Sequence, residues 1–155
     1  MVSLLKAEAL PEYTIKAAYL YNFALLTDWH NSDPSGDFNI CFYKEDMGSA
    51  SNALNNKMLR NQKVKVSTVS TPEAAKGCQM VFIRESEGQS GEKLIQKLSG
   101  ASILIVSENP NINDSHITML RDNHKIAFDI NLKSIKVSDL SVSSRLLKLA
   151  RRVEP

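Results

Sequence analysis

The run Gly88-Gln89-Ser90-Gly91-Glu92-Lys93 follows an apolar stretch and opens a helical one, which is the setting of a phosphate-binding loop. In such a loop the lysine directly follows a glycine set five residues after another. Here that spacing fails, and what remains is a turn and a helix start whose free amides attract an anion only weakly. Glu45 and Asp46 follow the first predicted strand, where receiver domains carry metal-binding acids, but the third strand ends in Arg84 instead of a phosphoaccepting aspartate. The two acids therefore read as a solvated loop. His30, His116 and His124 do not stand one helical turn apart or beside a cysteine at zinc-ligand spacing, so no metal site is expected. No serine occupies a Gly-x-Ser-x-Gly elbow, and a Ser-His-Asp triad assembled at long range is left open by one sequence. The expectation is a protein with no catalytic residues, no cofactor and no metal.

Two other groups invite chemistry. Cys41 lies inside the first predicted strand and Cys78 just before the third, and those strands are neighbours in the common flavodoxin-like order. A bridge there would close a loop worth roughly 4 kcal/mol of chain entropy. Buried thiols in adjacent strands are equally compatible with the residues alone. Near the C-terminus, Arg145, Lys148 and Arg152 fall three and four residues apart and make a basic stripe. Cations late in a helix offset its dipole and need no function, but Arg145 lies in the first turn, where the amides after Ser143 favour anions. Two readings are open for Arg145, a solvated or internally paired side chain and a contact for an acidic ligand or partner; in the second, Tyr21, Trp29 and His30 at the other end of the chain join the surface, because aromatic and arginine side chains anchor many interfaces.

The elements that must position these residues follow from periodicity. From Glu12 onward, Ile15, Tyr19, Phe23, Leu26 and Trp29 recur at helical spacing, with Pro11 in the first turn and Trp29 at the end beside a polar loop, Asn31 to Asp37. Tyr19, Phe23 and Leu26 read as packing positions. Short apolar or β-branched runs predict strands at Phe38–Tyr43, Val64–Val69, Met80–Arg84 and Ile103–Ser107. Between them, helices are expected at Ser49–Leu59, near Pro72 and at Gly91–Leu98. That alternation implies a mostly parallel sheet in two or three layers. Ile117–Leu120 and Lys125–Asp129 flank Arg121-Asp122-Asn123-His124 and predict a closing antiparallel hairpin. A short helix near Leu132–Ile135 and a last helix capped by Ser143, with Leu146, Leu149 or Ala150, and Val153 inward, complete the chain. The fold class is thus α/β: flavodoxin-like or Rossmann-like, with a hairpin and a closing helix.

The 155 residues suit one hydrophobic core, so residues 1–155 are expected to form one domain with 1–11 as a lead-in. A formal charge of +2 is too even to draw nucleic acid or anionic membrane through the field of the whole molecule. The uncharged stretch between Lys16 and Asp28 is too short for a spanning helix, which needs about twenty apolar residues. No membrane insertion is expected. Met1 to Glu8 lacks a basic leader and a long apolar run, so the expectation is either a cytosolic chain or one whose secretory leader has been removed.

Lys16-Ala17-Ala18-Tyr19-Leu20-Tyr21-Asn22-Phe23-Ala24, then Trp29, then Phe38-Asn39-Ile40-Cys41 together resemble the opening of the YfiR family. Gly77-Cys78-Gln79-Met80-Val81-Phe82-Ile83, Ile103-Leu104-Ile105-Val106-Ser107-Glu108, Phe128-Asp129-Ile130-Asn131 and Val142-Ser143-Ser144-Arg145-Leu146-Leu147-Lys148-Leu149-Ala150 continue the likeness from Tyr13 to Arg152. The resemblance implies a periplasmic, non-catalytic repressor. Such a protein binds the periplasmic portion of an inner-membrane diguanylate cyclase and keeps cyclic di-GMP, and with it biofilm formation, low. It further implies a homodimer, sequestration by an OmpA-like outer-membrane lipoprotein, and a disulfide between Cys41 and Cys78. A second cysteine pair of some relatives is missing, which puts redox switching in doubt, and Asn113-Asp114-Ser115 stands where relatives often carry glycines. The rival expectations are a free-standing periplasmic sensor of small molecules and, further off, a flavodoxin-like or hydrolytic enzyme.

Overall fold

A computed structural model describes residues 2–30 and 35–155. Helix α1 (Val2–Leu25) leads into the short strand β1 (Thr27–Trp29), then β2 (Phe38–Tyr43), α2 (Ser49–Asn52), β3 (Met58–Leu59) and β4 (Gln62–Val69). Next come α3 (Pro72–Ala75), β5 (Met80–Ile83), α4 (Gly88–Lys97), β6 (Leu104–Ser107) and the hairpin β7 (Ile117–Asp122) with β8 (Lys125–Asn131). The chain closes with α5 (Leu132–Val137), β9 (Leu140–Val142), α6 (Ser144–Leu149) and β10 (Arg152–Glu154). The main sheet runs β10-β8-β7-β6-β5-β2-β4-β3, and β1 pairs with β9 in a separate antiparallel ribbon. Strands β4, β2, β5, β6 and β7 are mutually parallel, whereas β7 and β8 are antiparallel. This is the expected α/β architecture with its closing hairpin.

Apolar residues on both faces of the central strands require cover on both sides, as buried parallel sheets do. One face carries Ile40, Phe42, Phe82, Leu104 and Val106 against Leu20, Phe23 and Ala24 of α1. The other carries Tyr43, Val81, Ile83 and Ile105 against Leu94 and Ile95 of α4 and Leu98 just after it. Phe23 stands 4.9 Å from Phe128 in an edge-on ring contact, so α1 also anchors the hairpin. Gly91 lets α4 approach the sheet: a Cβ there would lie 2.7 Å from Ile83 Cγ2.

Four expectations are corrected. The first helix starts at Val2, placing Pro11 inside it, because Leu4 to Leu10 are strong helix formers that carry the helix backward. It also ends sooner. Thr27 to Trp29 form a strand paired with Leu140 to Val142, so Trp29 is not on the helix, and the expected Asn31–Asp37 loop is described only from Ser35. The helix expected at Ser49–Leu59 stops at Asn52 because asparagines compete with it: Asn55 Oδ1 accepts the Val66 amide and Asn56 adopts φ 70°. Finally, α6 ends at Leu149, which is exposed, and Val153 lies in β10 beside Ile130. Ala150 turns extended, and the Arg151 amide donates to the Phe128 carbonyl.

The hairpin turn falls on Asn123 and His124, both at positive φ, the geometry that tight antiparallel turns require. In this turn it is His124, together with Asn123, that takes the left-handed region.

Candidate functional site

In doubly wound sheets the crevice for ligands lies outside the C-terminal strand ends where the strand order reverses. Here that place is between β2 and β5, flanked by β6. Each of these strands ends in charged residues: Lys44, Glu45 and Asp46 after β2, Arg84 and Glu85 after β5, Glu108 after β6. An open pocket of about 330 Å³ there is lined by Glu45, Arg84, Glu85, Ser86 and Glu108.

Buried Glu108 is the hub. Its Oε1 accepts from Lys16 Nζ at 2.7 Å, and its Oε2 accepts from Arg84 Nε at 2.6 Å and from the Glu85 amide at 3.0 Å. Burial pushes the Glu108 carboxyl up, but the bonds from Lys16, the Glu85 amide and Arg84 outweigh it, and the group lies below its usual range. Burial likewise disfavours the Arg84 cation, and Glu108 and Tyr13 overcome that, so Arg84 stays charged. Arg84 also donates to the Asp46 carbonyl and, at 3.3 Å, to the Tyr13 hydroxyl, while its guanidinium sits 5.2 Å from the Tyr13 ring centroid. Tyr13 and Lys16 both come from α1. The chain's own helix therefore braces the charges that line the crevice, and the locked, ionised Glu108 carboxylate is a poor proton donor at neutral pH.

A second cleft, of about 420 Å³, opens between α4 and α5 over buried His116. The His116 Nδ1 accepts the Ile105 amide at 2.9 Å, which places the ring proton on Nε2, 2.9 Å from Ser138 Oγ; that hydroxyl donates onward to the Ser134 carbonyl. Burial lowers the imidazole from 6.5 to about 4, so the ring is neutral and joins β6, the start of β7 and α5.

The expected surface residues are not gathered in one place. The Tyr21 hydroxyl donates to the Met58 carbonyl, and Lys57 Nζ lies 5.5 Å from the Tyr21 ring. Trp29 is half-buried, donates from Nε1 to the Gln79 carbonyl at 3.0 Å and packs edge-on against Phe38. His30 is exposed at the last residue described before the break. Arg145 and Lys148 are exposed on α6, but Arg152 has left the helix for β10, so the three do not form one helical stripe. The unforeseen cation is Arg151, held by both oxygens of Asp129 at 2.9 and 2.6 Å.

Cys41 and Cys78 are joined, with Cα atoms 6.1 Å apart. Glu45 is exposed, its Oε1 3.9 Å from Arg84, and the Asp46 carboxylate caps the Gly48 amide, so Asp46 serves the loop itself. The Lys16–Arg84–Glu108 cluster went unrecognised in the sequence. Its signal was there: two apolar strands, both ending in a charged residue, at neighbouring sheet positions.

Residues 13–151 match a protein-family model described as YfiR/HmsC-like. A comparison with individually curated proteins gave no significant match.

Proposed function

Because the chain belongs to the YfiR/HmsC-like family, we propose that it is a non-catalytic periplasmic regulator that lowers cyclic di-GMP by binding the periplasmic portion of an inner-membrane diguanylate cyclase. The observation that carries this reading is the family match, which spans nearly the whole chain. The bonded Cys41–Cys78 pair supports the compartment, since such bridges persist in oxidising surroundings. The charges beside the open crevice at the strand ends support action by binding: Lys16, Arg84 and Glu108 are committed to one another in ion pairs and not left free for a substrate. No helix among the described residues is long and apolar enough to cross a membrane, which accords with docking onto a membrane enzyme from outside the bilayer.

Further parts of the proposal are a homodimer, an OmpA-like lipoprotein as sequestering partner, and Tyr21, Trp29, His30, Arg145, Lys148 and Arg152 as contributors to partner or anion contacts. Co-purification tests the core of it. The oxidised protein is expected to retain the periplasmic fragment of a cyclase encoded beside it, and failure to retain any such fragment at micromolar concentration contradicts the reading. A second reading, a free-standing small-molecule sensor, is favoured by the cleft over His116. It predicts ligand-dependent stabilisation with no retained cyclase.

A further inference from the structure

Exposed apolar side chains scattered singly mean little, but contiguous ones beside a concave surface mark docking sites. Three of the large exposed apolar residues, Ile15, Leu25 and Met58, lie on α1 or on the strand next to it. Along α1, Ile15, Ala18, Asn22 and Leu25 follow one another at three and four residues and all are exposed. Between this edge and α2 runs a groove of about 250 Å³, with Ala17, Ala18 and Tyr21 on one side and Ala50, Ala53 and Leu54 on the other. Four alanines keep the walls low, so large side chains from outside can enter. Tyr21 closes one end, its hydroxyl on the Met58 carbonyl and Lys57 over its ring.

Charge tells what fits. From Met47 to Pro72 the chain has no acidic residue and carries Lys57, Arg60, Lys63 and Lys65. Lys57 lines the groove, and Arg60 donates to the Leu25 carbonyl at the end of α1. Lys63 pairs with Met58 across β3–β4, and Lys65 reaches Asn56. Among the described residues, the acid that approaches these four is exposed Asp28, 3.8 Å from Arg60. A short apolar groove with a basic bank on one side is complementary to an amphipathic helix whose apolar stripe is flanked by acids. A lipid surface fits less well, because a bilayer receives protruding apolar side chains and this site is concave.

We propose that the α1–α2 groove receives an acidic amphipathic helix of the regulated protein, with apolar anchors entering between Ala18 and Ala53 and acids facing Lys57 and Arg60. The proposal rests on the reading that the chain acts by binding a protein. The probe is a peptide of about four helical turns with leucines at i, i+3, i+4 and i+7 and glutamates elsewhere, beside a copy with lysines in place of the glutamates. The glutamate peptide is expected to bind the full chain at least about tenfold more tightly than the lysine peptide. Ala53→Glu, which fills the groove, should weaken it by about tenfold or more, and Lys57→Glu with Arg60→Glu should reverse the preference.

Ala18→Glu, on the opposite wall, repeats the block should Ala53→Glu not fold. No saturable binding, an unaffected blocked variant or an unchanged preference overturns the proposal. So does equal or tighter binding to phosphatidylglycerol vesicles that the same variants abolish, which would assign the site to lipid. In a strain lacking the protein, the wild type should lower cyclic di-GMP and the groove-blocked variant should not. If both lower it equally, the groove is refuted and the regulatory reading stands. If the wild type leaves the nucleotide unchanged while the peptide results hold, the reading fails and the groove stands.

Discussion

Among the described residues, His116 and Glu108 are buried groups whose ionisation is tied to the native state, and each gives the fold an acid sensitivity of its own. For His116 the unfolded value is 6.5 and the folded one about 4. Between these values the unfolded chain takes up a proton that the native ring refuses, so stability falls as pH drops through that window and is constant well above it. A shift of that size corresponds to about 3 kcal/mol. His116→Asn, whose side-chain oxygen can still accept the Ile105 amide, should flatten the dependence of the urea midpoint on pH between 6.5 and 4; an unaltered slope would mean that the imidazole is not its source. Glu108 acts lower on the scale. Its folded value lies below the ordinary 4.5, so its contribution is full above that value and is lost as pH falls through the folded one. Removing its charge strands buried Arg84 and half-buried Lys16, and Glu108→Gln should cost about 3 to 5 kcal/mol. Lys16→Met leaves Glu108 its bonds from Arg84 and the Glu85 amide and should cost only about 1 kcal/mol. Chemical denaturation of the two variants ranks them, and equal losses would contradict the hub role of Glu108.

At the scale of elements, the bridge from β2 to the residue before β5 and the β1–β9 ribbon give the sharpest expectations. Cys41 and Cys78 stand 37 positions apart, and closing that loop is worth roughly 4 kcal/mol. Reduction, or Cys41→Ala with Cys78→Ala, should therefore lower the melting temperature with the far-ultraviolet circular dichroism unchanged at low temperature. Two freely alkylated thiols after oxidising purification would contradict the bridge. In the ribbon, Thr27 is buried and its hydroxyl has no hydrogen-bond partner among the described residues. Thr27→Val should thus raise stability by up to about 1 kcal/mol, as judged by the thermal midpoint; a loss of that size would show that the hydroxyl is satisfied. The central strands were legible because Phe38–Tyr43, Met80–Ile83 and Leu104–Ser107 are short apolar runs, and the hairpin because Asp and Asn mark its turn. β1 and β10 were not legible. Each has three residues, too few for a period, and each exists only because a distant partner, Leu140–Val142 or Asp129–Asn131, is brought beside it. The same holds for Asn55 and Asn56, whose side-chain and left-handed roles depend on β4 lying alongside.

Across the whole molecule, the chain brings together what lies far apart in sequence: Lys16 and Glu108 are 92 positions apart, and Arg84 and Glu108 are 24 apart. This is why the crevice could not be read from spacing, whereas the bridge could be anticipated from strand order and family likeness. The cluster ties α1 across the strand ends, so the helix that forms one wall of the groove is held by the same charges that line the crevice. On the proposed reading, the chain works through its surfaces on a diguanylate cyclase. The most direct measurement is the cellular cyclic di-GMP level in a strain lacking this protein, compared with the same strain carrying it on a plasmid that directs it to the periplasm. The account predicts a rise on loss and a return to the parental level on complementation. An unchanged level in the deletion strain, with a membrane diguanylate cyclase expressed, would contradict it.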